Sequence, residues 1–373
     1  MRAFQISPIE PLLLRDGRPF STDEGALDAT SLSLPMPGTL AGFLRTLIGQ
    51  LRGCSWTTPD DVAAVRGIRV AGPLLLKNET VCFPAPADAV VLDGEEKRLM
   101  TLRPFEPQKG GCDLPPGLLP LKATEDGKPA PGYVYWTARD MFLWLANNTP
   151  ADFLPEDIGD FPRETRLHVA IDPNTLMAKE GMLYSTQMVA YERLRDNGKE
   201  CESWSFLVAA EVPQEENLCT VHTLGGERRL AAITDAPKKW PDTCTNPIKE
   251  ALRQTRQVRM VLATPAIFKD GWRPGWLNDE LVGSPPGACD IVLRLKGAAV
   301  KRRLAVSGWE YRHQRSKQVR WLVPAGSVYF FNVEQGDPKT LGEKLWLKPV
   351  SDKERDQNDG YGLALWGAWN DED

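Results

Sequence analysis

Apolar side chains recur at alternate positions near the start of the chain, Phe4, Ile6 and Pro8, which is the period of a short strand. The period lengthens after the break at Pro35-Met36-Pro37-Gly38-Thr39. Leu40, Phe43, Leu44, Leu47, Ile48 and Leu51 fall at three- and four-residue intervals, an amphipathic helix that Gly38 or Thr39 would cap. Arg45 and Arg52 stand seven positions apart and share roughly one face of it. Strands follow at Ile68-Arg69-Val70, Leu74-Leu75-Leu76, Thr80-Val81-Cys82-Phe83 and Val90-Val91-Leu92, with Lys77-Asn78-Glu79 turning a hairpin. The stretch from Gly94 to Pro162 is rich in proline and glycine, predicts one helix over Trp136 to Asn147, and reads as an insertion. From Arg166 to Arg193 a second hairpin is expected. Leu167, Val169 and Ile171 alternate, Asp172-Pro173-Asn174 turns, and Met182, Tyr184, Met188 and Ala190 return.

Short strands at Ser205 to Val212 and Cys219 to Leu224 precede a linker between Asp235 and Pro247. Beyond it the expected order is a strand (Arg259 to Phe268), a helix (Trp276 to Val282), strands within Asp290 to Tyr311 and Val319 to Val333, a helix (Pro338 to Trp346) and a last strand (Leu363 to Trp369). That order, βαββαβ, is the ferredoxin-like arrangement, whose antiparallel sheet is a common RNA platform. The first half begins with the same strand, helix and hairpin. The expected fold class is therefore α+β: two tandem ferredoxin-like (RRM-like) domains with inserted hairpins and loops, over 1–240 and 246–373.

Composition narrows the setting. The 373 residues are 42% hydrophobic and 25% charged, near the globular average, which excludes a disordered or fibrous chain. No run of 18 apolar residues occurs and Met1 opens no signal-like segment, so no membrane association is expected. Seven scattered cysteines without a C-x-x-C pair encode neither a disulfide framework nor a zinc ribbon, and point to a reducing cytoplasm. Net charge is −5, yet from Arg294 to Arg320 nine Lys or Arg residues stand against one acid, Glu310. Such a stripe suits a groove for a polyanion, or else a strand pair with a solvated face.

Motifs for nucleotide hydrolysis, zinc proteolysis, esterase chemistry and palm-type polymerisation are missing from the sequence, and no cofactor is implied. Of the three histidines, His168, His222 and His313, the first lies on an alternating strand near Arg166 and Lys179, where an imidazole suits a general base on a ribose hydroxyl, base stacking or packing. The Gly360-Tyr361-Gly362 turn before the last strand would let backbone amides approach phosphates and Tyr361 stack on a base, or would be an ordinary turn. Around the Asp16-Gly17 turn, Arg15 and Arg18 present guanidinium forks to phosphates, or pair with Asp16 to organise the loop. Trp309, Trp321, Trp366 and Trp369 interleave with the stripe or the last strand, as stacking surfaces or as core.

Several of these segments together resemble one family. Pro11-Leu12-Leu13-Leu14-Arg15-Asp16-Gly17-Arg18-Pro19-Phe20, Pro37-Gly38-Thr39 through Arg45, His168-Val169-Ala170-Ile171-Asp172 and Glu180-Gly181-Met182-Leu183-Tyr184 are similar to the third Cmr subunit of type III-B CRISPR effectors. Leu224-Gly225-Gly226-Glu227-Arg228, Leu262 to Phe268 with Gly271-Trp272, Val323 to Tyr329 and Gly360-Tyr361-Gly362 continue the pattern in order. The resemblance implies a RAMP protein that grips the repeat-derived 5′ tag of CRISPR RNA without catalysis, beside the large polymerase-like subunit and the adjacent backbone subunit.

On this basis single-stranded RNA is expected to cross the cleft between two sheets, its phosphates held by Arg18, Arg45, Arg302, Arg303 and Arg315. The Arg166 to Arg193 hairpin is expected to act as a thumb that sets His168, Met182, Tyr184 or Gln187 against unstacked bases. Arg15, Arg166, Lys179, Arg193, Arg312, Lys317 and the Gly360, Tyr361, Gly362 turn complete the expected RNA surface. Two other functions fit less of the sequence: a metal-independent RNA-processing endoribonuclease using His168 or His313, and a protein scaffold without RNA contact.

Overall fold

The computed structural model describes residues 1–18, 28–108, 110–194, 201–310 and 315–370, leaving out the side chains of Trp309 and Glu310. It is a mixed α/β chain of antiparallel sheets with few helices. In the first half run β1 (Arg2–Pro8), α1 (Pro37–Leu51), α2 (Pro59–Arg66), β2 (Val70–Lys77), α3 (Ala138–Leu145), the hairpin strands β3 (Arg163–Ile171) and β4 (Ala178–Val189), then β5 (Cys201–Ala210) and β6 (Leu230–Asp235). The second half holds α4 (Asn246–Gln254), β7 (Gln257–Leu262), β8 (Val292–Ala299), β9 (Leu304–Val306), β10 (Arg320–Leu322), β11 (Val328–Gln335), α5 (Lys339–Lys344), α6 (Glu354–Asn358) and β12 (Leu363–Ala368).

Both halves order their four main strands alike. The first sheet runs β6-β1-β5-β2 at its centre, with Phe4 opposite Val208 and Asp235; the second runs β12-β7-β11-β8, with Val258 opposite Phe331 and Ala368. Helix α1 starts at Pro37, whose missing N–H costs nothing at the first helical position, and it buries Leu40, Phe43, Leu44, Leu47 and Ile48 against one face of the first sheet.

Two crossovers depart from the expected pattern. Among the described residues no helix lies between β5 and β6; a short strand, Thr220–Thr223, pairs with the edge of β6 instead. The helix expected over Trp276 to Val282 is also replaced by turns. The Asn278 carboxamide oxygen accepts from the amides of Glu280 (3.0 Å) and Val282 (2.9 Å), and Leu281 takes a positive φ of 61°. A side chain that captures nearby amides in this way competes with helical pairing, and apolar spacing alone does not reveal it.

The space between the sheets is closed. Strand β2 is buried along its whole length because its side chains alternate between two cores: Leu75 points to α1, while Leu74 and Leu76 join the core of the second half. Strand β5 divides likewise, Phe206 and Val208 toward α1, Leu207 and Ala209 toward Val258, Met260 and Trp366. Helix α3 adds Met141 and Leu145 to this shared core. The expected RNA path across a cleft between the sheets is therefore corrected, since that volume is filled by the chain's own apolar side chains. The insertion reaches across too: Pro104 and Leu121 lie against Gly297 of β8, and the Leu119 amide donates to the Lys296 carbonyl at 2.7 Å.

Candidate nucleic-acid interface

A connected rim runs along the loops outside the sheets. Its spine is the segment 11–18. Leu12 bridges Val189 at the base of β4, Leu13 bridges Gly226, and Arg15 bridges Ser31. The short strand Asp28–Ala29 pairs with Ser185 and Thr186 of β4. At its far end the segment meets the second half: a Cβ on Gly17 would stand 2.7 Å from the carbonyl oxygen of Ala305 in β9. Only glycine permits that approach, so the Asp16-Gly17-Arg18 turn seats directly on the basic arm formed by β9 and β10. The sequence marked both segments as basic and gave no sign that they touch.

On this rim the expected cations differ in exposure and in pairing. Arg18 is exposed and pairs with Asp16 at 3.1 Å, and the Asp16 carboxylate also accepts the Arg18 amide at 3.0 Å, so the pairing that organises the loop leaves the guanidinium in solvent. Arg302, Arg303, Arg315 and Lys317 on the arm are exposed, as are Arg15 and Lys179. Arg303 stacks over the Trp321 ring, its guanidinium carbon 4.0 Å from the centroid. Arg166 pairs with Glu164 at 2.6 Å and holds that carboxyl below its ordinary range. Arg312 and His313 lie outside the described residues.

The hairpin has two unlike faces. His168 and Tyr184, directly opposite in register, stack with ring centroids 4.9 Å apart and planes 12° apart, and His168 Nε2 sits 2.9 Å from the Thr186 hydroxyl. The other face carries Leu167, Val169, Ile171 and Leu183, all exposed. Gln187 lies at the hairpin base, where its side-chain oxygen accepts from Arg163 at 3.0 Å. His222 is taken up by packing, edge-on to Phe43 and 3.0 Å from the Gln50 side-chain oxygen.

Five expected site residues fall elsewhere. Arg45 points into the junction of the two halves, paired with Asp359 and donating to the carbonyls of Ile68 (2.8 Å) and Asn358 (2.9 Å). The apolar spacing placed Arg45 on the right helix, but its partner lies more than three hundred positions away in sequence. Gly360, Tyr361 and Gly362 are buried in the same junction. Gly360 takes φ of 91° with the Gly72 carbonyl 2.7 Å from where a Cβ would stand, and the Tyr361 ring lies against Gly38, burial pushing its phenol up to about 12. This turn locks α1 and β2 to the last strand and offers no amides to a phosphate. Arg193, paired with Glu202 at 2.7 Å, lines a separate depression together with Lys77 and Glu156.

Arg228 belongs to the rim and sequence reasoning passed it by. It is exposed in the Gly225-Gly226-Glu227-Arg228 turn, where Gly225, Glu227 and Arg228 all have positive φ, and it has no ion pair among the described residues. Its neighbour Arg229 is held by Glu10 at 2.6 Å, which fixes the turn against β1. Paired glycines beside three charged residues were the available signal.

Comparison with curated proteins gives no match. Among solved structures, the chain is similar to one in the cryo-EM structure of the type III-B Cmr-beta bound to cognate target RNA and AMPPnP, with a TM-score of 0.50, 17% identity, and coverage of 88% of this chain and 86% of that one. The same values hold for the type III-B Cmr-beta bound to cognate target RNA. A chain of the type III-A Csm3-Csm4 subcomplex is more distant, with a TM-score of 0.43 and 10% identity over 99% of this chain and all of that one. At these identities the likeness is one of fold. The sequence match is broader and more specific: the family model for the CRISPR-associated protein Cas_Cmr3 fits residues 4–369, so the chain belongs to that family.

Proposed function

We propose that this chain is a non-catalytic RNA-binding subunit of a type III-B CRISPR ribonucleoprotein, gripping the 5′ repeat-derived tag of the CRISPR RNA and bridging the large polymerase-like subunit to the adjacent backbone subunit. Each four-strand core serves as a ferredoxin-like module, over 1–240 and 246–373, and the shared core makes the pair one rigid support. One observation carries the reading: the Asp16-Gly17-Arg18 turn of one half seats on Ala305 in the arm of the other, which joins Arg18, Arg302, Arg303 and Lys317 into a single exposed cationic rim. An unpaired strand follows this rim rather than the space between the sheets. The polar hairpin face, with His168 and Tyr184, meets its bases, and the cations set its register.

Fluorescence anisotropy with tag-bearing RNA tests the proposal. Arg18→Ala or Arg228→Ala should weaken binding for all sequences and reduce the slope of log K against log salt by roughly 0.7 for each lost phosphate contact. His168→Ala or Tyr184→Ala should relax preference for the tag and leave that slope unchanged. Salt-independent binding, or equal behaviour of the two groups of variants, would refute this division of labour.

A further inference from the structure

We propose that Trp321 is a stacking platform for one unpaired base of the bound RNA, with Arg303 as the fixed layer beneath it; the inference rests on the RNA-binding reading above and adds the position at which a base is taken. Trp321 lies on β10 opposite Ala305 of β9, and it is 50% exposed. A single exposed apolar residue is ordinary by itself. Its surroundings are what distinguish it. Among the tryptophans whose side chains are described, Trp56 is the other exposed one, and it packs on Gly49 of α1 close to Asp60 and Asp61. Trp321 instead lies in a strand pair flanked by Arg302, Arg303 and Lys317, of which Arg302 and Arg303 have no ion pair among the described residues.

Arg303 covers the indole from one side, its guanidinium carbon 4.0 Å from the ring centroid. That contact orients the ring, while half of the residue stays open to solvent. A guanidinium on one side of an indole and a nucleobase on the other form a layered stack, in which the cation also attracts the adjacent phosphate. The Arg18 turn seats on Ala305, the residue paired with Trp321, so a phosphate contact and a base contact flank one short stretch of strand. Arg302 and Arg303, without an ion pair among the described residues, favour an anionic polymer as the occupant, although Arg320 beside Trp321 is paired with Asp356. Stacking on an aromatic face tolerates any base, so Trp321 would hold a nucleotide without reading it.

The test uses the full chain and single-stranded oligoribonucleotides carrying the tag, intact or with one abasic site moved position by position. Trp321→Ala should bind the intact strand on the order of 5- to 100-fold more weakly, Trp321→Phe should keep most of the affinity, and the salt slope should stay at the parent value. An abasic site at one position should weaken the parent chain by a similar factor and cost Trp321→Ala nothing further. Matching thermal melts of the variants exclude unfolding as the cause. If Trp321→Ala binds like the parent while Arg18→Ala is weakened, the RNA-binding reading stands and this inference falls. If the parent has no salt-dependent affinity for the RNA, both fall. Normal RNA binding by Trp321→Ala with lost association to the other subunits would mark the indole as a protein contact and overturn the inference.

Discussion

The guanidinium of Arg45 has the Asp359 carboxylate and the Ile68 and Asn358 carbonyls around it, whereas that of Arg18 pairs, among the described residues, with Asp16 and is 75% exposed. Removing the guanidinium from this half-buried pair leaves a carboxylate and two carbonyls without their donor, so Arg45→Met should cost about 2 kcal/mol in urea unfolding and leave the salt slope of RNA binding intact. Arg18→Ala should change stability by less than about 0.5 kcal/mol, because exposed pairs contribute little. Equal stability losses in the two variants would contradict the assignment of Arg45 to the frame. Thiols divide in the same manner. Burial pushes Cys82 and Cys244 up to about 12, so both stay protonated and shielded at neutral pH, while Cys112, Cys201, Cys219 and Cys289 are exposed. Timed alkylation followed by mass spectrometry should label those four first and reach Cys82 and Cys244 only on unfolding.

At the level of elements, the hairpin β3 and β4 carries Leu167, Val169, Ile171 and Leu183 on a face that is exposed among the described residues. Their alternation announced a strand, and it carried no information on whether a core or solvent would receive them. Replacing Leu167 and Val169 with threonine, which keeps strand propensity, should shift the thermal midpoint by under about 2 °C, as expected for exposed positions. A larger loss would place this face in the folding core. The main strands were legible because β2, β7 and β12 are dense in buried aliphatic residues and bounded by turn residues. Helices were less so: α1 has a full apolar stripe, whereas Trp276 to Val282 has the apolar residues and is unmade by Asn278. Arg45 and Tyr361 were misjudged for one reason. A cation or a glycine-flanked aromatic looks the same in sequence whether it faces a polyanion or a distant turn of its own chain.

In the whole molecule, the two halves meet through a core to which neither could be complete alone. Leu74, Leu76 and Leu207 of the first half pack with Val258, Met260 and Trp366 of the second, and the buried Asp88–Arg259 pair (2.7 Å) spans the same boundary. Trp144 of α3 donates to Asp88 at 3.2 Å and lies under the Arg259 guanidinium, which also donates to the Ala368 carbonyl at 2.8 Å. Separating the halves would expose these apolar faces and strand a charge in each. Chains of this length often unfold in steps, domain by domain. Here calorimetry should instead give one transition whose van't Hoff and calorimetric enthalpies agree. Asp88→Ala, which leaves Arg259 buried without its carboxylate, should lower stability by about 3–5 kcal/mol and move that single transition as a unit. Two resolved transitions in the parent, or a loss confined to one of them in the variant, would mean that the halves fold independently. The rim on which Arg18 and the arm meet would then be free to open, and the register of the RNA would have to be set by something other than this shared core.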